Sequence, residues 1–290
     1  MPLDLDKDLI HALDPGRWVE DLQLLPSLDP WQISALRSTA KQSVWLCHRQ
    51  SGKSTTAALI ALHRAIFSPG SLVLLVSRSI RQSSELYKKW VTAYDKLDSK
   101  PGMKKSTELS CELSNGSRVV SLPDSEDTIR GYSSVSLLIE DESSRVSDEL
   151  HFAIRPMLAI SEGKLLLLGT PAGKRGHFFD IWQADNNLSW EKVLVTVADC
   201  KRISKSFLDE EKRSMPDYFF RQEYYCEFQD NINQIFSTEL IMSCINNDLE
   251  PLFDEDRIED DEINTDTTPF DYSSVIKADI KTFEEGGDNV

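Results

Sequence analysis

Residues 43–66 constrain the fold more tightly than any other stretch. Ser43-Val44-Trp45-Leu46 is an apolar run, Cys47-His48-Arg49-Gln50-Ser51-Gly52-Lys53-Ser54-Thr55 is a short polar loop, and Thr56 to Ile66 has helical spacing and good helix formers. A strand, a tight loop and a helix start in that order make a P-loop, whose backbone N–H groups point inward at phosphate oxygens. In such a loop Lys53 reaches the β- and γ-phosphates and the Ser54 hydroxyl completes the shell of a Mg²⁺ ion. The expected nucleotide contacts are therefore Arg49, Gln50, Ser51, Gly52, Lys53, Ser54 and Thr55, with ATP and Mg²⁺ as cofactors. The G-x-x-x-x-G-K-[ST] pattern has Cys47 at its first position, where glycine is usual.

A second element, Val135-Ser136-Leu137-Leu138-Ile139-Glu140-Asp141-Glu142, is an apolar strand ending in adjacent carboxylates. At such a tip Asp141 is suited to hold Mg²⁺, and Glu142 to polarise the water that attacks the γ-phosphorus. Downstream of a P-loop, this couplet specifies an ATPase of the additional-catalytic-glutamate type rather than a kinase or GTPase. A third element, Lys164 to Pro171, places Thr170 at another strand exit, where it either senses the γ-phosphate or simply ends a strand.

Two further residue types fit the same chemistry. Gln32, in Asp29-Pro30-Trp31-Gln32, can pair with the N7/N6 edge of adenine; a capped helix start with Trp31 in the core accounts for these residues as well. Phosphoryl transfer needs positive charge on the transferring oxygens. Arg49 within the loop suits that role in cis. Arg130, in the Gly- and Ser-rich segment Thr128 to Ser134, suits a reach into a neighbouring subunit or a loop-anchoring ion pair.

Composition bounds the rest. The chain has 290 residues, enough for one large α/β domain or two small ones. Its longest apolar runs, such as Ser71 to Val76, are strand-sized and far short of a membrane span, and the acidic N-terminus lacks the basic start of a signal peptide. Five scattered cysteines fit a reducing cytosol and support neither a disulfide framework nor a zinc site. The net charge of −16 is uneven: residues 231–290 hold 16 acidic residues against 3 basic ones, leaving residues 1–230 close to neutral. Lys88, Lys89, Lys96, Lys100, Lys104 and Lys105 form the one basic concentration, either a solvated helix face or a DNA-phosphate contact.

Periodicity predicts strands over 43–47, 72–77, 135–140, 165–169 and 192–197, and a hairpin of 108–113 and 117–122 turning at Asn115-Gly116. Helices are expected over 31–39, 53–66, 80–97, 148–158, 176–184, 204–215 and 216–225. The alternation implies an α/β fold with a mostly parallel sheet flanked by helices, and together with the phosphate loop and the acidic couplet it makes the expected class a RecA-like P-loop NTPase. The expected organisation is an N-terminal extension over 1–27, an ATPase domain over 28–236 and an acidic, disordered or incomplete tail over 237–290, with one more helix fitting Ser237 to Ile245.

Together the motifs resemble the ATPase domain of the large terminase subunit of tailed bacteriophages. The resemblance covers roughly Leu28 to Phe236 and rests on Pro30-Trp31-Gln32, Arg49 to Ser54 without the first glycine, Ile129-Arg130-Gly131-Tyr132-Ser133, Ile139 to Glu142, Gly169-Thr170-Pro171 and Phe220 to Phe228. It implies ATP hydrolysis coupled to translocation of double-stranded DNA into a procapsid, by a homo-oligomeric ring at the portal vertex in the host cytoplasm. The implied partners are the portal protein and the small terminase subunit. It also implies Lys53 and Glu142 as catalytic, Arg49 as the loop arginine, Arg130 as the trans-acting arginine, Asp141 as the magnesium carboxylate and Thr170 as part of the coupling motif. The residues after Phe236 are too few and too polar for the nuclease domain of such subunits, so nuclease activity is not expected from this chain and a separately encoded nuclease becomes a partner to consider. Two other readings fit part of the pattern: half of a superfamily 2 helicase, and an inactive remnant serving as an assembly module.

Overall fold

The computed structural model describes residues 5–123, 131–184, 189–200 and 202–229. Helices α1 (Leu5–Leu13), α2 (Pro15–Asp21) and α3 (Pro30–Arg37) precede β1 (Gln42–Cys47), α4 (Lys53–Phe67), β2 (Leu72–Ser77) and α5 (Ile80–Asp95). Strands β3 (Met103–Ser106), β4 (Ser110–Leu113) and β5 (Arg118–Pro123) follow. The chain continues through β6 (Leu137–Asp141), α6 (Asp148–Ile154), β7 (Lys164–Gly169), α7 (Gly176–Gln183), β8 (Glu191–Val195), α8 (Lys205–Ser214) and α9 (Asp217–Tyr225).

The strands form one 8-stranded sheet in the order β3-β4-β5-β2-β6-β7-β1-β8. From β5 to β8 all pairs are parallel, and β4 is antiparallel to both neighbours. Parallel strands need helical crossovers, and these cover both faces, which is why the central strands read as near-continuous apolar runs. Strand β7 lies between β1 and β6, with Gly169 opposite Leu46 and Leu168 opposite Asp141. The loops after β1, β7 and β6 therefore leave the same edge of the sheet side by side, where open α/β sheets bind ligands.

Alternation along each strand feeds two cores. Trp45, Leu75, Ile139 and Leu168 pack with Leu62 of α4 and Trp90 of α5 on one face. On the other, Leu46, Leu74, Leu138 and Leu167 pack with Leu150 and Ile154 of α6 and Phe178 of α7. A fully buried leucine in such a layer contributes about 1.5–3 kcal/mol. Within the segment expected to be an extension, Trp18, Val19 and Leu24 join the first core, and Trp18 meets His63 and Phe67 of α4 edge-on at 5.4 and 5.8 Å.

Element ends are set by local chemistry. Ser79, Ser147 and Ser204 accept from the backbone N–H groups of Gln82, Leu150 and Phe207 and start α5, α6 and α8. The helix expected over 148–158 becomes α6 and a separate 3₁₀ turn, Arg155–Leu158, because Pro156 brings no N–H to continue the ladder. Asn115-Gly116 makes the expected turn, with Gly116 at φ 84°, and the Asn115 side chain donates to the Ala65 and Ile66 carbonyls at the end of α4. Strand β3 has no counterpart in the predicted set. The helix expected over 237–245 and the acidic tail lie outside the described residues.

Candidate nucleotide site

The loop between β1 and α4 is shaped by its backbone. Gly52 caps α4 in the left-handed region at φ 89°, a conformation glycine adopts without steric cost, and Gln50 also has positive φ, at 61°. A Cβ at Gly52 would lie 2.7 Å from Nη1 of Arg202 and 3.1 Å from Nε2 of Gln32, so the backbone is packed from beneath as well. Cys47 explains the missing first glycine: it is the last residue of β1, with negative φ and a fully buried side chain. Burial pushes its thiol far above the usual range, so the side chain is an inert piece of core. The loop is tied down by His48 N–H donating to the Val195 carbonyl at 2.9 Å.

Four of the expected residues meet at the sheet edge. Nζ of Lys53, the first residue of α4, lies 3.1 Å from Oε1 of Glu142. Ser54 donates from Oγ to Oδ1 of Asp141 at 3.2 Å. Both Lys53 and Asp141 are buried. Burial alone would lower the lysine, but the charges of Glu142 and Asp141 outweigh it and raise Lys53 above the usual value. Burial and the neighbouring Glu142 raise the Asp141 carboxyl, against the opposing pull of Lys53 and Ser54. Glu142 itself sits at φ 56° and ψ 40°, left-handed and strained for a glutamate. Thr170, buried at the exit of β7, has its hydroxyl 3.5 Å from Oε2 of Glu142.

A cavity of about 640 Å³ opens here, lined by Arg49, Gln50, Gly52, Lys53, Ser54, Thr55 and Glu142 among the expected residues. Arg49 is largely exposed and ion-paired with Glu223 of α9, within the segment 220–228. Ser51 is fully buried and does not line the cavity. Arg130 lies outside the described residues.

Gln32 is not brought to the cavity. Its amide donates to Oγ1 of Thr56 at 2.7 Å and accepts from the Asp29 N–H at 3.0 Å and from Arg202 at 3.1 Å, so of its two readings the side chain makes the capped helix start beneath the loop, closing a capping box with Asp29. Sequence reasoning also missed four wall residues, Gln82, Lys89, Arg145 and Arg202. Arg145 is the most telling: its Nη1 lies 3.3 Å from Oε2 of Glu142 and 3.4 Å from Oγ1 of Thr170, joining the two strand exits. Its signal is its place three residues after Glu142, on the 3₁₀ turn Ser143–Arg145. Lys89 belongs to the basic concentration of residues 88–105, of which Lys88 pairs with Glu85, Lys96 with the Leu24 carbonyl and Lys100 with the Tyr94 carbonyl. Arg49, Lys53, Lys89, Arg145 and Arg202 thus give the cavity wall five cations, a field suited to a polyphosphate.

Residues 46–243 match the family model described as terminase large subunit, T4likevirus-type, N-terminal. The large terminase subunit of Thermus phage G20c is 25% identical over 244 residues, covering 71% of this chain and 50% of that protein. The large terminase ATPase domain of Thermus phage P74-26 superposes with a TM-score of 0.61 at 22% identity, covering 72% of this chain and 98% of that domain. The large terminase of the thermophilic bacteriophage D6E, solved in complex with ATP-gamma-S, superposes at 0.58 with 11% identity, over 70% of this chain and 53% of that one. The chain spans about half the length of the curated relatives it matches. With a strand–loop–helix turn facing an acidic couplet, and a family model that extends over most of the sequence, the chain belongs to the terminase large subunit family, T4likevirus-type, and carries its N-terminal domain.

Proposed function

We propose that this chain is the ATP-hydrolysing motor subunit of a phage packaging terminase, coupling turnover to movement of double-stranded DNA into the procapsid. The observation that carries the reading is the meeting of Lys53, Ser54, Asp141 and Glu142 at one mouth, with Lys53 and Glu142 3.1 Å apart and Ser54 and Asp141 3.2 Å apart. The family match and the nucleotide-analogue complex of the D6E relative support it, and neither favours the helicase reading.

In this reading the backbone N–H groups of the loop and Lys53 hold the phosphates, Arg49 stands at the rim, and Glu142 orients and deprotonates the attacking water. The hydroxyl of Ser54 and the buried carboxylate of Asp141, 3.2 Å apart, are hard oxygen donors of the kind that would hold Mg²⁺. Held there, the ion would neutralise phosphate charge. Arg145 links Glu142 to Thr170, the route by which the state of the nucleotide reaches β7 and beyond. Arg130 is the proposed trans-acting arginine from a neighbouring subunit in a homo-oligomeric ring, which works at the portal vertex in the host cytoplasm with the portal protein and the small terminase subunit.

The test is phosphate release by concentrated protein with ATP, Mg²⁺ and double-stranded DNA. Turnover abolished by Glu142→Gln is the expected result. Tight nucleotide binding with no turnover under any partner condition would instead make the chain an assembly module.

A further inference from the structure

Behind the acidic couplet, on the opposite face of the sheet, lies a buried polar cluster that the nucleotide chemistry does not use. Asp141 faces α4, and the alternation of β6 therefore turns Glu140 toward α6 and α7, where its side chain is fully buried. A carboxylate in that position needs donors. Oε1 of Glu140 lies 2.6 Å from Oγ of Ser143 and 2.7 Å from Nε2 of His177, and Oε2 lies 3.0 Å from Nδ1 of His151. On its far side His177 meets Asp148: Nδ1 and the backbone N–H are each 2.8 Å from Oδ1. With carboxylate oxygens at both ring nitrogens, His177 donates from both. Burial raises the Glu140 carboxyl, but the hydrogen bonds and charges of the two histidines outweigh it and hold the group at about 2.

Two histidines and a glutamate are also a set of metal-ligand types, yet the geometry points to protons. The rings of His151 and His177 are stacked 4.0 Å apart at 10°. An ion must lie near the plane of each imidazole that binds it, and two nearly parallel planes at that spacing share no such point. The donors instead converge on the two oxygens of one carboxylate.

The position of Ser143 gives the cluster its consequence. Ser143 follows Glu142, whose left-handed backbone is strained, and strain of that kind persists only where surrounding bonds fix it. The Ser143–Glu140 bond closes the turn across Glu142 from behind. Ser144 then donates to the Thr170 carbonyl at 2.6 Å, fixing the turn to the exit of β7.

We propose that Glu140, with Ser143, His151, His177 and Asp148, is a positioning cluster that holds Glu142 in its left-handed conformation and so aims its carboxylate into the nucleotide cavity. The proposal rests on the ATPase reading for its kinetic consequence and on the backbone alone for its structural one. The residues act through Glu142 and touch no nucleotide.

Ser143→Ala is the mildest disruption, since it removes one hydroxyl and leaves the carboxylate its two histidines. It is expected to lower kcat for ATP about 10- to 100-fold, the usual cost of losing an outer-shell partner, while KM and the affinity for ATP-gamma-S hold. Ser143→Thr, which keeps the hydroxyl, is expected to restore kcat, and Glu140→Gln to lower it as Ser143→Ala does. A crystal structure of Ser143→Ala is expected to show Glu142 outside the left-handed region. A folded Ser143→Ala protein with wild-type kcat, a loss expressed in KM, or a left-handed Glu142 in that crystal overturns the proposal. So does one equivalent of zinc retained by the wild type and lost in His151→Ala. If the wild type itself fails to hydrolyse ATP, the motor reading falls, and the crystal of the variant still decides the positioning role.

Discussion

Lys53 and Glu142 form an ion pair, Nζ to Oε1 at 3.1 Å, across the mouth of the cavity. In the proposed mechanism the cation that takes the γ-phosphate is thus held by the carboxylate that activates water. An incoming phosphate would then compete with Glu142 for Lys53 and release the carboxylate toward the water. Glu142→Gln removes the competing charge together with the base. Turnover is expected to fall about 10²–10⁴-fold, while ATP-gamma-S binds as tightly as to wild type or tighter. Phosphate release beside a fluorescence titration measures both; affinity falling in step with turnover would mean that Glu142 shapes the loop rather than the reaction.

Arg145 holds Oε2 of the same glutamate and the hydroxyl of Thr170. Both bonds leave one nitrogen, Nη1, which the planar guanidinium holds in a fixed place; a lysine has a shorter side chain and a freely rotating head, and reaches the two acceptors with less fixed geometry. Arg145→Ala is expected to lower kcat about 10²-fold or more, in the range for a lost preorganised donor, with Arg145→Lys recovering only part. Steady-state kinetics of both variants check this, and full activity in Arg145→Lys would reduce the residue to a local charge.

How far the sequence anticipates this architecture follows from what each residue needs. The central strands and the phosphate loop are legible because a doubly covered parallel strand must be apolar throughout and because Gly52 sits where other residues would be strained. Strand β3 carries Lys104 and Lys105 at the sheet edge, where burial imposes no alternation, so no pattern announces it. Gln32 fits two roles in sequence because a residue that closes a helix start and one that reads a base are the same amide; which contacts it makes depends on Thr56 and Arg202, 24 and 170 positions away. Glu140 reads as part of an apolar strand because its compensation comes from histidines 11 and 37 residues later. Arg145 is marked in the sequence only by its place three residues after Glu142, because the left-handed turn that aims it leaves no pattern there.

Gly52 offers a test of the loop backbone. At φ 89° any Cβ adds about 1–2 kcal/mol of left-handed strain, and this one would also meet Arg202 Nη1 at 2.7 Å. The arginine tip can shift, so Gly52→Ala is expected to fold with a modest fall in Tm. Its nucleotide affinity is expected to fall far more, because the loop N–H groups no longer converge. Calorimetry and nucleotide titration separate the two effects; normal affinity would mean that the cradle does not require this backbone.

Gln32→Ala removes three hydrogen bonds beneath the loop and leaves Oγ1 of Thr56 without its donor. The expected cost is about 1–3 kcal/mol, that of orphaning buried polar groups, seen as a lower denaturation midpoint. Because the amide does not line the cavity, the preference for ATP over GTP is expected to remain. A preference that collapses in a variant of unchanged stability would return Gln32 to base selection.

His177 makes the stability of the domain depend on pH with a definite sign. Its ring is faced by Glu140 of β6 and Asp148 of α6, with Ser143 and the His151 ring also against it. Burial works against charge on the ring, but the bonds and charges of the two carboxylates outweigh it and raise His177 above the ordinary histidine value. The folded chain then holds this proton more tightly than the unfolded one. The stabilisation is complete below about pH 6.5 and is lost as pH rises through the folded value. Denaturant unfolding across neutral to alkaline pH is expected to show a falling free energy in the wild type and a shallower slope in His177→Gln, whose side chain keeps a hydrogen-bonding amide and has no proton to lose. Titrations of cysteine, tyrosine and lysine side chains are common to both proteins and cancel in the difference. Equal slopes would mean that His177 releases its proton without cost to the fold.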